Sequence, residues 1–300
     1  MDNLVSPKQV ARAIGVSESS LKRWCDNGVL PTERTVGGHR RIPISGVLRF
    51  IRERGHQLVD PAVVGLAPNL GQGKRTITSS HADLLNAFQV GSQDAALRCL
   101  VDLYLNGIEV ALIFDDVIAP VFHEVGQLWA EGQLEVFEER RAVEFISGTL
   151  FEMTRLLRSP DSANVDRPLA IGGSLVGDPY ALAARMANMT VEESGFRTSY
   201  LGNGLPLESM GRAIEKLRPD LFWVSVSVID CEADFVRRWN AVGSVAESAG
   251  CHVVVGGRAM MPKLRTRIRF DRYCEGMVEF ASHARDVAQR VGDSRHPDRN

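Results

Sequence analysis

The sequence predicts three folded segments: a winged helix-turn-helix, a four-helix bundle and a doubly wound parallel sheet. Two short helices followed by a hairpin pattern open the chain, apolar residues recur at helical spacing through its middle, and apolar runs alternate with amphipathic helices toward its end. The predicted bounds are residues 1–58 for the winged helix-turn-helix, 59–78 for a linker, 79–158 for the bundle and 168–295 for the sheet domain.

The composition indicates a globular protein and excludes several other classes. Hydrophobic residues make up 44% and charged residues 24% of the 300 positions, which excludes a disordered chain. The five cysteines form no CxxC pair, so the sequence predicts neither a zinc site nor a disulfide framework. No apolar run reaches the ~20 residues that a membrane helix needs, and no secretory signal opens the chain. We therefore expect a cytoplasmic protein without a membrane partner.

The net charge of -2 hides an asymmetry along the chain. Residues 1–58 contain ten Lys and Arg against five Asp and Glu, so this segment carries +5 and the remaining residues carry -7. A basic end on an acidic body is typical of a chain that contacts nucleic acid through that end.

The first segment has the start and stop signals of a helix-turn-helix. Ser6 precedes a short helix that ends at Gly15, and Ser17 precedes a second helix that runs to about Asn27. A hairpin with its tip at Gly37 and Gly38 follows, and then a helix from about residue 44 to residue 54. The candidate DNA-binding residues lie on the second helix and in the hairpin: Ser19, Ser20, Lys22, Arg23, Arg34, His39, Arg40 and Arg41.

Residues 5–43, with their SxxxLKRW helix and GGHRR hairpin, resemble the DNA-binding domain of MerR-type transcription regulators. The resemblance implies that the second helix enters the major groove of double-stranded promoter DNA while the wing contacts the flank. It also implies a homo-oligomer, and one small domain offers too little surface for tight specific binding by itself. RNA polymerase is a further candidate partner.

The middle segment is divided into four helices by turn residues at 91–92, 106–107 and 132–133. Pro120 should kink the third helix and free a backbone carbonyl. Two short sequences stand out near its end, VGQLWAEG at residues 125–132 and EERR at residues 138–141.

The last segment predicts strands at about residues 169–175, 197–202, 220–228, 251–257 and 272–277, with helices between them. Ligands of such sheets bind outside the carboxyl ends of the strands. Here those ends are residues 177–180, 202–204, 225–227 and 256–257.

The phrases YLGNGLPLE, LRPDLFWVSVS and VVVGGRAM resemble the cobalamin-binding domain, a Rossmann-like domain shared by methionine synthase, corrinoid proteins and the CarH/LitR light-responsive regulators. The order of the three segments resembles the last of these from end to end. The resemblance places Ser225, Ser227, Gly256 and Gly257 along the nucleotide tail of the cofactor.

The resemblance also locates the positions around cobalt. In bundles that cap cobalamin, a tryptophan and a Glu-His pair lie over the upper face; Trp129 and Glu139 match, but Arg140 replaces the histidine. Ala130 stands where light-sensing members have a cobalt-binding histidine. In the DxHxxG motif below the cobalt, the aspartate is kept as Asp178, whereas Tyr180 and Ala183 replace the histidine and the glycine. A neutral phenol is a poor substitute for imidazole.

We therefore expect a non-enzymatic DNA-binding repressor that has no cofactor and is independent of cobalamin. Its bundle and sheet would serve oligomerisation or another effector. One alternative is a regulator that senses cobalamin or haem between Trp129 and Tyr180, because a tyrosine phenolate can ligate ferric haem. Another is an enzyme using Asp178, Glu139 and Tyr180 as acid and base, which is disfavoured because no nucleophile pairing is visible.

Overall fold

The computed structural model describes residues 4–158, 164–178 and 181–295. The chain divides into two compact units, Met1–Asp161 and Ser162–Asn300. The first holds the predicted helix-turn-helix and bundle, and the second holds the predicted sheet. No helix within the described ranges is long and apolar enough to cross a membrane.

The predicted winged helix-turn-helix is confirmed. Its helices are α1 (Pro7–Ala13), α2 (Glu18–Asp26) and α3 (Ile44–Arg54), and its strands are β1 (Leu4–Val5), β2 (Glu33–Arg34) and β3 (Arg40–Pro43), paired antiparallel in the order β1-β3-β2. Ser6 and Ser17 cap α1 and α2 as predicted, and Gly15 adopts a φ of 70° in the turn between them.

The bundle follows the predicted turns. It contains α4 (Ile77–Gln89), α5 (Gln93–Leu105), α6 (Val110–Ile113), α7 (Ala119–Ala130) and α8 (Val136–Leu157). Between α6 and α7 the chain is π-helical over Phe114–Ile118, directly before Pro120. Proline has no amide hydrogen and cannot make the regular helical hydrogen bond, and the wider π-helical turn tolerates this gap. The irregularity lies in the third helix of the bundle, where it was predicted.

The segment from residue 59 to residue 78, predicted as a linker, is packed against both of its neighbours. A short 3-10 helix (Pro61–Val64) lies beside α1, where the Val59 amide donates to the Ala13 carbonyl at 2.7 Å. Farther along, the Gly71 amide donates to Oδ1 of buried Asp102 in α5 at 2.7 Å. Helix α3 also packs on the bundle, with the Arg52 guanidinium 4.4 Å from the centre of the Tyr104 ring. The helix-turn-helix and the bundle therefore form one unit.

The second unit is a five-stranded parallel sheet in the order β5-β4-β6-β7-β8. Its strands are β4 (Leu169–Leu175), β5 (Arg197–Leu205), β6 (Leu221–Ser225), β7 (His252–Gly256) and β8 (Arg272–Tyr273). Its helices are α9 (Ala181–Glu193), α10 (Leu207–Leu217), α11 (Glu232–Ala249), α12 (Pro262–Arg265) and α13 (Met277–Arg295). Strands β6 and β8 are shorter than predicted, and the last helix already begins at Met277.

Each face of the sheet has its own core. On β6, Phe222 and Val224 belong to the core on the side of α10 and α11, whereas Leu221 and Trp223 belong to the core on the side of α9 and α13. The strand order reverses at β4, between β5 and β6. A doubly wound sheet forms its ligand crevice at such a reversal, outside the carboxyl ends of the strands.

Candidate functional site

The outer face of α2 is a small basic surface. The Ser17 hydroxyl accepts from the Ser20 amide at 3.1 Å and lies 2.9 Å from both the Ser19 and the Ser20 hydroxyls. Lys22 and Arg23 are exposed one turn farther along. The serines thus start the helix, and the two cations remain available to a nucleic-acid backbone.

The inner face of α2 explains its orientation. Leu21 and Cys25 are buried, and the half-buried Trp24 packs against Phe50 of α3 with ring centroids 4.9 Å apart. The apolar side of the helix is therefore held by α3, and its cations point away from the core.

The wing presents its four predicted residues unequally. Arg34 and His39 are exposed, whereas Arg40 and Arg41 are half-buried. The Arg40 guanidinium forms an ion pair with Asp26 at the end of α2, and Nη1 of Arg41 donates to the Arg40 carbonyl at 3.0 Å. All four lie in the wing as predicted, but one of the arginines is already engaged by a carboxylate of the protein.

The bundle holds three of the predicted cofactor residues. Trp129 lies near the end of α7 with 48% of its surface exposed. Glu139 and Arg140 lie in the first turns of α8, where Nε of Arg140 is 3.4 Å from Oε2 of Glu139. The cation at the position of the missing histidine thus pairs with the neighbouring glutamate.

The crevice at the reversal of the sheet is bridged by the protein itself. Asp178, which follows β4, is 8% exposed, and its Oδ2 accepts from the Ser227 amide, which follows β6, at 2.7 Å. The structure therefore brings two predicted cofactor residues together, but in contact with each other. Tyr180 lies outside the described residues.

Ser225 and Trp223 lie on one face of β6, with their side chains toward α9. The Trp223 ring is 2% exposed, stacks on Tyr200 with centroids 6.1 Å apart, and covers Gly172, where an added Cβ would lie 2.3 Å from the ring. Within the described ranges, the buried Ser225 Oγ and Trp223 Nε1 have no hydrogen-bond partner. Two unsatisfied polar atoms thus lie beside a filled space.

The Gly256-Gly257 pair lies close to the backbone of Val226. Gly257 has a φ of 100°, and a Cβ there would lie 2.4 Å from the Val226 carbonyl oxygen. The Gly256 carbonyl accepts from the Val226 amide at 2.9 Å. The positive φ and this close approach explain Gly257, whereas a Cβ at Gly256 would lie 3.2 Å from the Cys274 carbonyl oxygen.

The residues at the cobalt positions are not the histidines of a cobalamin-binding site. Near the nucleotide-tail positions, Trp223 is buried, the Ser227 amide donates to Asp178, and the Val226 backbone lies against Gly257. The protonated guanidinium of Arg140 and the methyl group of Ala130 offer cobalt no lone pair. Among the described residues there is no group of three or more His, Cys, Asp or Glu that could hold a metal ion.

Sequence reasoning missed Asp26, Trp223 and Tyr200. Asp26 is an acidic residue within a basic segment. It lies four residues after Lys22, one helical turn farther along α2, so the sequence indicates that it shares a side of the helix with that cation. Alternation along β6 also places Trp223 on the face of Ser225. The stacking with Tyr200 carries no local signal, because it joins two strands that are separated in the sheet by β4.

Two known families match parts of the first unit. The helix-turn-helix domain family matches residues 4–55, and the B12 binding domain family matches residues 81–150, within the bundle. The HTH-type transcriptional repressor CarH of Myxococcus xanthus is 25% identical over 266 residues, which cover 83% of this chain and 87% of CarH.

The chain is similar to CarH over most of its length. Its sheet and bundle also resemble a solved structure, the monomethylamine corrinoid protein of Methanosarcina barkeri, with a TM-score of 0.57 at 15% identity, covering 71% of this chain and all of that one. At this level of identity the likeness shows the fold alone. The CarH-like chain thus combines a helix-turn-helix domain, a B12-binding-type bundle and a corrinoid-protein fold.

Proposed function

We propose that the protein is a transcription regulator that binds double-stranded promoter DNA through residues 1–58. The observation that carries the proposal is the exposed pair of cations, Lys22 and Arg23, on a capped helix beside a basic wing. The +5 charge of this segment supports it, because neutralised phosphates release counterions and supply much of the binding free energy.

The test is a gel shift of the full-length protein on its own promoter region at several salt concentrations. We expect binding that weakens steeply as salt rises, and an affinity at least about fivefold lower for Arg23→Ala. Arg155→Ala, which removes an exposed arginine of α8, is the matched control and should bind as the wild type does. Salt-insensitive binding, or equal binding by both variants, would contradict the proposal.

We further propose that the protein represses by occluding RNA polymerase. CarH is named a repressor, and occlusion requires no distortion of the DNA. The bundle and the sheet would join the copies that a small DNA-binding domain needs. In vitro transcription should fall as protein is added before polymerase, and sedimentation should show more than one chain per operator. Transcription that rises instead would exclude repression.

We propose that this regulation is independent of cobalamin and that the protein has no catalytic role. The filled space at Trp223 and the missing ligands at Arg140 and Ala130 support independence. Asp178 accepts from the Ser227 amide and Glu139 pairs with Arg140, which supports a structural role for both. Protein incubated with adenosylcobalamin or hydroxocobalamin and then gel-filtered should be colourless and should bind DNA unchanged.

A second candidate is a regulator that senses cobalamin, haem or another tetrapyrrole. The unpartnered Ser225 Oγ and Trp223 Nε1 favour it, because buried polar atoms without partners often meet a ligand or water. Visible absorption after purification from cofactor-supplied cells distinguishes the two candidates. A coloured protein whose spectrum changes in Tyr180→Phe would support the sensing candidate. It would contradict the proposal that regulation is independent of a tetrapyrrole.

A further inference from the structure

We propose that Arg40 is a positioning residue: its ion pair with Asp26 fixes the wing against α2, and Arg40 does not itself contact phosphate. This inference rests on the proposed DNA-binding function and assigns a different task to one of its basic residues. It follows from the position of Asp26, from the weak anchoring of the wing and from the charges that the pair leaves exposed.

Asp26 occupies a place on α2 where a carboxylate needs a cation. It is the last residue of the helix, at the end where the helix dipole is negative and an acidic side chain is unfavourable. It lies three and four residues after Arg23 and Lys22, on the same side of the helix. Either of these could have neutralised it, yet its partner is Arg40 of β3.

Beyond β3, which pairs with β1 and buries Ile42, the wing has little else to hold it in place. Every residue from Pro31 to Arg41 is exposed or half-buried, so this stretch contributes no side chain to the core. Strand β2 has only two residues, and the bonds at the tip, such as that from the Thr35 amide to the His39 carbonyl at 2.9 Å, stay within the wing. An ion pair from its base to α2 therefore restricts how the wing is aimed.

The pairing also distributes the charges that face DNA. With Asp26 neutralised by Arg40, Lys22 and Arg23 have no ion-pair partner among the described residues and keep their charge for phosphates. Arg34 and His39 remain exposed as the contacts of the wing. The ion pair thus keeps an acidic group from repelling the DNA and orients the residues that bind it.

The first test removes the carboxylate. If Arg40 contacts phosphate, Asp26→Ala should bind the promoter fragment as tightly as the wild type or more tightly, since it removes a negative charge. If Arg40 positions the wing, Asp26→Ala should bind two- to fivefold more weakly, about the range of an exposed ion pair. Glu33→Ala, which removes an exposed acid of the wing itself, is the control and should not weaken binding.

The second test reverses the pair. Asp26→Arg and Arg40→Asp should each weaken binding, and the double variant should return to within about twofold of the wild type because the ion pair forms again. A double variant as weak as Arg40→Asp alone would overturn the inference. Equal thermal midpoints among the variants exclude a general loss of folding as the cause.

A third measurement needs no DNA. Hydrogen exchange of the wing amides over residues 33–41 in the full chain should be at least about twofold faster in Asp26→Ala and in Arg40→Ala, and normal in the reversed pair. Unchanged exchange in both single variants would overturn the inference even if the protein binds its promoter. If the wild type does not bind DNA but the exchange pattern is as expected, the proposed function is contradicted while the contact between Arg40 and Asp26 remains supported.

Discussion

Two tryptophans of this chain have opposite environments, and only Trp129 was a candidate from the sequence. Trp223 is 2% exposed between Tyr200 and Gly172, whereas Trp129 is 48% exposed at the end of α7. Trp223→Ala should therefore lower the free energy of unfolding by about 3–5 kcal/mol, through lost burial and a cavity. Trp129→Ala should change it by less than about 1 kcal/mol. Urea unfolding followed by circular dichroism measures both, and similar losses would contradict the assignment.

The cysteines differ in the same way. Cys25, Cys99, Cys251 and Cys274 are buried, and burial raises the pKa of each thiol, to about 12 for Cys251 and Cys274. Cys231 is exposed. Because the thiolate is the reactive form, we expect Ellman's reagent at about pH 8 to modify one thiol per native chain and all five after unfolding in urea. More than one fast-reacting thiol in the native protein would show that a buried site opens.

At the scale of elements, two histidines join a strand to a helix. Nε2 of His252 in β7 lies 2.8 Å from Nε2 of His283 in α13, and burial is the first cause that lowers the pKa of each below 6.5. Asp271 and Arg290 face His252, and Arg272, Arg290 and Asp286 face His283. One imidazole must donate to the other, so the pair requires at least one neutral ring.

The pair should make stability depend on pH. Because the folded pKa values lie below the unfolded value of 6.5, their contribution is complete above about pH 6.5 and is lost as the pH falls toward the folded values. The thermal midpoint should therefore drop between about pH 7.5 and pH 5. His283→Gln should lessen this drop, and a drop of unchanged size in that variant would assign it to other groups.

Local signals predicted the elements well. The serine caps and the turn glycines predicted α1 and α2, and α3, expected after the hairpin, has the bounds that were expected. Such signals act over three or four residues, which sequence displays directly. The end of β6 at Ser225 was not predictable in this way, because where its pairing stops depends on the neighbouring strands.

The candidate sites were predicted less completely, for the same reason. The sequence identified the basic residues of the helix-turn-helix as a set but could not show that Arg40 meets Asp26, fourteen residues away. It identified Ser225 by resemblance but not that Trp223 fills the adjacent space. Residue types indicate which chemistry is available, and only tertiary packing decides which groups are already satisfied.

At the scale of the whole molecule, Asp102 in α5 holds the segment of residues 59–78, which joins the helix-turn-helix to the bundle. Its carboxylate accepts from the Gly71 amide at 2.7 Å and from Nε of Arg75 at 3.0 Å, and burial raises its pKa. Asp102→Ala should destabilise the first unit by about 3 kcal/mol or more, because it leaves a half-buried arginine without this partner. Asp83→Ala removes the exposed partner of Arg75 and should cost less than about 1 kcal/mol.

Unfolding in urea, with hydrogen exchange over residues 59–76, measures both effects. Asp102→Ala should accelerate exchange in this segment while Asp83→Ala leaves it protected. Equal behaviour of the two variants would mean that the segment is held by its buried leucines alone.

The packing of α3 on the bundle has a consequence for how operators are spaced. In the proposed oligomer, a helix-turn-helix that is fixed to its bundle would not rotate freely to meet its half-site. The separation and rotation of two such domains would then be set by how two chains assemble. On B-form DNA, matching half-sites face the same side only when their centres lie whole helical turns of about 10.5 base pairs apart. Inserting five base pairs between half-sites would turn one of them to the opposite side, beyond the reach of a stiffly held pair.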